Sequence, residues 1–475
     1  MARTDADPSA ALASHILRPR VPTPVRLAAV LALAAAPAPA RAQSQLAPAL
    51  AARVDSAIAA AVDAGQTAAV SVALARGDRV VYANGFGAAT VAPRRPATER
   101  TVYRIGSLTA QFTAAAVLQL ADEGRLSLDD EITKLIPGYP AQGRRVLVRH
   151  LLDHTSGIAN YTALGARWER TMTRDLPPDS VIAIFSREPL GFEPGTQFRY
   201  NNSGYFLLGA IVERVSGESY ADYVRRHLAE PLGLESVHYC GTRGEPAAAD
   251  GYAAGPRGFT PAAPLSMTQP FSAGALCAAA PDLARWPALL ASGRLLPVPL
   301  YRRMTSPATL GDGRVVDYGW GVGVREFAGR RVIKHGGGIN GFAAYLAHFP
   351  ADSLTIAVLA NTQTFDAQRL ERTLARLLLP GARPKDLPLA AAEQATYAGE
   401  YVLGAHLPVR VWVERGRLRA EARGQRPFGL LHQGGGVFAS DFDPEVTLTF
   451  ALAGGRAAAF TLREIGRTTE ARRTR

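Results

Sequence analysis

YRIGSLTAQFTAAAVLQLADEG, residues 103–124, is the stretch on which the fold turns. From Ser107 onward, apolar residues recur at helical spacing (Leu108, Phe112, Ala115, Leu118), and Gly124 supplies a stop. The pattern predicts a helix running from Ser107 to about Gly124. It is apolar on most sides, so it belongs in the interior. A serine in its first turn lies among unpaired N–H groups at the positive end of the helix dipole. Such a serine can act as a nucleophile if a base takes its proton. The residues that follow are Leu108, Thr109, Ala110 and Gln111, and none is a base.

Upstream, VDSAIAAAVDAG predicts a helix within 45–64, and AAVSVALARGDRVVYANGFG (68–87) predicts a hairpin turning at Gly77-Asp78. Downstream, Glu193-Pro194-Gly195 marks a turn, and GYFLLGAIVERVSG (204–217) reads as an amphipathic helix ending at Gly217. From about residue 318 strands return as GWGVGV, RVIKHG, FAAYLAHF and SLTIAVLAN, followed by a helix over 365–380. Strands at both ends of the 45–380 unit, with helices between, require a sheet assembled from chain-distant parts around an inserted helical region. A linker follows at 381–390, GARPKDLPLA. Residues 391–475 read as short strands (YAGEYVL, VRVWVE, RLRAEA, GVFASD, TLTFAL, AAAFTLRE) and predict a small β-barrel or β-sandwich domain.

The 475 residues are enough for more than one domain, and 47% apolar with 20% charged content fits a soluble globular protein. The net charge of +12 is spread along the chain without a basic run, which argues against nucleic acid as a partner. Of 53 basic residues only three are lysines: Lys134, Lys334 and Lys385. The rest are arginines, which stay protonated and cannot serve as bases. Arg18, Arg20 and Arg26 precede the apolar run LAAVLALAAAPA (27–38) and Ala40-Arg41-Ala42. Residues 1–42 thus read as a signal peptide, and the protein as exported, periplasmic or extracellular in a bacterium. The run is too short, and too soon cut by prolines, for a membrane span. Cys240 and Cys277 form a plausible disulfide in such a compartment; two buried thiols are the alternative. No metal-ligand spacing occurs among the histidines and cysteines, so neither a metal nor any other cofactor is expected.

Three stretches place polar groups in tight contexts: Ser107; Tyr200-Asn201-Asn202 just before a helix; and His335-Gly336-Gly337-Gly338 directly after the strand RVIK. A glycine run at a strand end lets a substrate approach the backbone. Its N–H groups, with that of Ser107, could hold an oxyanion. Taken singly, each has an ordinary reading as an N-cap, a buried phenol or a turn residue.

In this order the stretches resemble the β-lactamase-related serine hydrolases, the group that includes class C β-lactamases, D-alanyl-D-alanine carboxypeptidases and related esterases. That family carries S-x-x-K, then Y-x-N, then K-T-G or H-x-G. Tyr200-Asn201-Asn202 matches the second motif and His335-Gly336-Gly337 the third. HLLDHTSGIANY, ALCAAAPDLARW and HGGGINGF extend the likeness over about residues 50–380. The resemblance implies an α/β fold of the α+β type, with an antiparallel sheet flanked by helices, a mostly helical second lobe and a site between them. It implies Ser107 as nucleophile, Asn202 and His335 as substrate-positioning groups, and the N–H groups of Ser107 and Gly338 as the oxyanion site. The departure is at Ala110, where the first motif ends in lysine. At i, i+3 that lysine would share a face with Ser107.

No other lysine is well placed, because Lys334 neighbours His335 on a strand and points to the opposite face. Tyr200 is then the surviving candidate base. An unperturbed phenol is only about 0.1–1% phenolate at neutral to mildly alkaline pH, and a protonated His335 nearby would raise that fraction. Two readings follow. One is a hydrolase weakened by Ala110, acting on an ester, a β-lactam or a peptidoglycan-like amide. The other is an inactive ligand-binding protein on the same scaffold.

Overall fold

The computed structural model describes residues 45–241, 248–379, 385–442, 446–464 and 467–474. The expected signal peptide at 1–42 and part of the 381–390 linker lie outside the described residues. No helix among the described residues is long and apolar enough to cross a membrane.

A seven-stranded sheet forms the centre. Its spatial order is Gly323–Phe327, Arg330–Ile339, Phe342–Phe349, Leu354–Ala360, Ala69–Arg76, Arg79–Thr90 and Arg95–Pro96. Every neighbouring pair is antiparallel, including the join that sets Val70 opposite Ala360. Strand alternation divides the residues of Ala69–Arg76 between two cores. Val70, Val72 and Leu74 face helices Pro48–Asp63 and Ala367–Leu378. Ala73 and Ala75 face the helical lobe, and their small side chains let helix Ala280–Ala291 pack close. Each fully buried valine or leucine on this strand contributes about 1.5–3 kcal/mol.

The helix read from Ser107 is resolved into two pieces. Ser107 stands in a 3-10 turn, Gly106–Leu108, and the α-helix proper is Thr109–Asp122. The shift is a boundary effect, since the first turn tightens where the backbone leaves the strand before it. All but a few residues of Thr109–Asp122 are buried, as an all-round apolar helix requires. The strand leading to the turn, Val102–Arg104, pairs with Leu276–Ala279, which also pairs with His238–Tyr239. Cys240 and Cys277 are joined by a disulfide beside this small sheet.

The C-terminal domain is a closed barrel of eight antiparallel strands, sealed where Gly399–Leu403 pairs with Arg467–Arg473. Tyr401, Phe438, Phe450 and Phe460 fill its interior. Two of its strands, Phe428–Gly434 and Arg467–Arg473, are missing from the sequence reading. FGLLHQG sets two leucines side by side and RTTEARR is almost wholly polar, so neither shows the period-two alternation of a half-buried strand.

Candidate active site

Two glycines bring Ser107 against the sheet. Gly106 adopts φ +52°, a left-handed conformation that glycine reaches at no steric cost. A Cβ there would also lie 2.9 Å from the Gly338 nitrogen, and one at Gly337 would collide with the Ile105 carbonyl oxygen. The Ser107 turn and the strand Arg330–Ile339 therefore meet backbone to backbone. Ile105 is held from the other side, its N–H donating to the Leu276 carbonyl at 3.0 Å.

The Tyr200 hydroxyl lies close enough to the Ser107 side chain for that side chain to lower its pKa. Tyr200 is 37% exposed as a residue. Desolvation nevertheless raises the phenol above its ordinary value of 10, with the Ser107 side chain opposing the shift. The residues behind it are pinned by the next helix, Asn202–Ser216. Asn201 caps that helix by accepting from the Gly204 N–H at 3.1 Å, and its amide nitrogen donates to the Ile158 carbonyl. The Asn202 amide nitrogen donates to Thr162 Oγ1 at 3.0 Å.

A chain of neutral hydrogen bonds lies beside Tyr200. The Asn201 N–H donates to His154 Nδ1 at 3.1 Å, so the imidazole proton sits on Nε2. His154 Nε2–H donates to the Tyr318 hydroxyl at 3.2 Å. Tyr318 in turn donates to His335 Nε2 at 2.9 Å, and His335 Nδ1–H donates to the Gly336 carbonyl at 2.7 Å. Every link has one donor and one acceptor. Burial holds His154 down to about 3 and His335 down to about 4, so both rings are neutral at pH 7. The Tyr200 ring packs on His154 with centroids 4.3 Å apart and lies 6.0 Å from that of His335. The aid expected from a protonated His335 is therefore absent; a dry ring cannot keep the extra proton.

Replacing Tyr318 with phenylalanine leaves His154 Nε2–H and His335 Nε2 buried without partners. Each orphan costs about 1–3 kcal/mol. The expected result for Tyr318→Phe is a melting temperature several degrees lower, read by thermal circular dichroism. An unchanged melt would show that the chain is not what holds these rings.

A cleft of about 220 Å³ opens in front of Ser107. Ser107, Asn202 and Gly338 line it, with Tyr161, Trp168 and Asn340. Tyr200 and His335 are not part of the lining; they sit off the cleft, with Tyr200 reaching Ser107. Position 110 is only 1% exposed. The Gly321 backbone presses on it, since a Cβ at Gly321 would lie 2.6 Å from the Ala110 carbonyl oxygen. The Gly321 backbone also lies beside the Tyr205 hydroxyl, which donates to the Leu152 carbonyl at 2.6 Å. Lys134 is bound to Asp130 at 2.7 Å on the surface, and Lys334 lines a separate cavity between sheet and barrel. Among the described residues no His, Cys, Asp and Glu cluster could hold a metal ion.

Sequence reasoning missed His154, Tyr318 and Tyr205. A signal for the first was present in HTSG (154–157), and for the second in Tyr318 preceding GWGVGV. Their convergence is a tertiary fact that spacing does not encode.

The family model described as Beta-lactamase matches residues 54–379. Penicillin-binding protein 4* of Bacillus subtilis (strain 168) is 27% identical, over 85% of this chain and 95% of that protein. A D-aminopeptidase of Gluconobacter oxydans (strain 621H) is 28% identical over 66% of this chain, which spans 60% of the relative's length. In three dimensions the chain matches the octameric penicillin-binding protein homologue from Pyrococcus abyssi. The TM-score is 0.64 at 26% identity, covering 89% of this chain and 99% of that one.

Proposed function

The chain belongs to the Beta-lactamase family of hydrolases, and from that premise we propose that Ser107 opens an ester or an amide through an acyl-enzyme. The observation that carries the proposal is the approach of the Tyr200 hydroxyl to the Ser107 side chain, beside a cleft lined by Ser107, Asn202 and Gly338. As Ser107 Oγ bonds the substrate carbonyl carbon, its proton passes to Tyr200 in the phenolate form. The N–H groups of Ser107 and Gly338 hold the resulting oxyanion. The phenol returns the proton to the departing amine or alkoxide. Water then cleaves the acyl ester by the same path, releasing a carboxylic acid and freeing Ser107. Asn202, fixed on Thr162, orients the substrate.

The D-aminopeptidase relative supports amides of D-amino acids or short peptidoglycan-like peptides as substrates. With Ala110 in place of a basic side chain, esters with good leaving groups should turn over best, because they demand least from the base. The apolar segment 27–38 and the Cys240–Cys277 disulfide support export.

The test is hydrolysis of a nitrophenyl ester and of a D-alanine anilide by the wild-type chain and Ser107→Ala. Loss of about 10³-fold or more in Ser107→Ala is expected. Equal rates in both proteins would dispose of the mechanism. The pH profile gives a second reading. The folded Tyr200 pKa lies above 10, so the active phenolate grows about tenfold per pH unit from 7 to 10 without a plateau. A wild-type rate, corrected for Ser107→Ala, that is flat over this range would rule out Tyr200 as the base.

The competing reading, a ligand-binding protein without turnover, is favoured by Ala110 and by the neutrality of His154 and His335 beside Tyr200. Saturable binding of a D-alanine amide, with no turnover and no change in Ser107→Ala, would establish it.

A further inference from the structure

A second cavity lies away from Ser107, where the sheet and helix Ala367–Leu378 meet the barrel. It encloses about 470 Å³. Lys334, Arg369 and Arg426 line it, facing Phe428, Phe442 and Val446 of the barrel. Its remaining charges are largely engaged. Arg325 is ion-paired with Asp317, Arg372 lies 4.5 Å over the Phe327 ring, and Asp366 caps the helix through the Arg369 N–H at 2.9 Å. Glu326 is the other acid of the lining. Arg369 rests its guanidinium over Phe442 at 5.9 Å, which leaves the N–H fork available. Arg426 has no hydrogen-bond or ion-pair partner among the described residues.

This cationic cavity continues into an apolar one. A pocket of about 90 Å³ at the barrel mouth is lined by Leu407, Val409, Leu448 and Phe460, and it shares Gln425, Phe428, Phe442 and Val446 with the cavity outside. Eight-stranded barrels are just wide enough to hold one small ligand. For comparison, an apolar cavity of about 150 Å³ stays dry and accepts benzene, so this one has room for about three or four carbons, with the rest of a chain in the larger cavity outside. One end of the space calls for an apolar tail and the other for a planar anion matched to an arginine fork.

We propose that the seam between sheet and barrel binds a small amphiphilic carboxylate, with its tail in the barrel mouth and its carboxylate on Arg369 and Arg426. The site is independent of turnover at Ser107. It shares a strand with the first site, since Lys334 lines the seam and His335 belongs to the Tyr318 chain.

The experiment is calorimetric titration of the full chain carrying Ser107→Ala with hexanoate, acetate, hexan-1-ol and inorganic phosphate. Hexanoate should bind saturably at one site. The other three should bind at least about tenfold more weakly, since each lacks either the tail or the matched head. Arg426→Ser and Arg369→Ser should each weaken hexanoate about tenfold and leave hexan-1-ol unchanged. Arg426 is exposed, so its replacement leaves the fold intact and keeps the result interpretable. No saturable hexanoate heat would overturn the proposal, as would phosphate binding as tightly as hexanoate. Hexanoate affinity untouched by Arg426→Ser would place the ligand elsewhere, the Ser107 cleft included, and overturn it equally.

Discussion

Ala110→Lys is expected to raise ester turnover by about 10²–10⁴-fold, the usual contribution of a positioned general base. Position 110 shares a helical face with Ser107, three residues on. Its backbone touches Gly321, whose other neighbour is the Tyr205 hydroxyl, an oxygen that can accept a hydrogen bond from the new amine. At 1% exposure the amine is desolvated, which lowers its pKa and favours the neutral form that can take the Ser107 proton. The alkaline climb of the wild-type profile should then give way to a plateau at lower pH. Inserting four heavy atoms into a packed region costs about 1–3 kcal/mol, so the melting temperature should fall by several degrees. Ala110→Met is the control, because it adds similar bulk without a base and should lose stability without gaining rate. A folded Ala110→Lys protein no faster than wild type would show that its neighbours refuse the amine.

Acid is expected to unfold the protein between about pH 6 and pH 4. Four buried histidines are held well below their ordinary 6.5 by desolvation: His150, His335 and His348 to about 4, and His154 to about 3. A folded value below the unfolded one means that the unfolded chain takes up protons first as pH falls. The stability is therefore complete above pH 6.5 and drains away down to pH 4 and below. At pH 4 each histidine has lost about 3 kcal/mol. Asp153 works the other way. Burial pushes its carboxyl up to about 6, so it gains stability as pH falls from 6 towards 3.8 and offsets about one histidine. The balance, on the order of 9 kcal/mol, rivals the whole stability of an ordinary domain. Tryptophan fluorescence and near-ultraviolet dichroism against pH would follow it. Native signals persisting at pH 4 would mean that these rings are better hydrated than their burial implies.

The central sheet was legible because FAAYLAHF and SLTIAVLAN are dense in β-formers and closed by a short turn, and because small and large residues alternate along Ala69–Arg76. The barrel was legible as a β-domain but not strand by strand, since a pairing partner can recruit RTTEARR without any apolar pattern. At the site, local sequence pointed to Ser107, Tyr200 and the glycine run. It could not show that Tyr318, seventeen residues before His335, would draw that imidazole off the cleft lining, nor that His154 would complete the chain. Those links cross between elements, and only packing determines them.

The order of strands in the sheet has a consequence for biosynthesis. Ala69–Arg76 emerges early from the ribosome, yet one of its two neighbours, Leu354–Ala360, is made about 280 residues later. At roughly 5–20 residues per second the wait is tens of seconds. Throughout it, one flank of an almost wholly apolar strand offers bare N–H and C=O groups to any passing chain. Nascent copies are thus most vulnerable to mutual association before the last quarter of the message has been translated, and a holdase that shelters that flank acts when protection matters most.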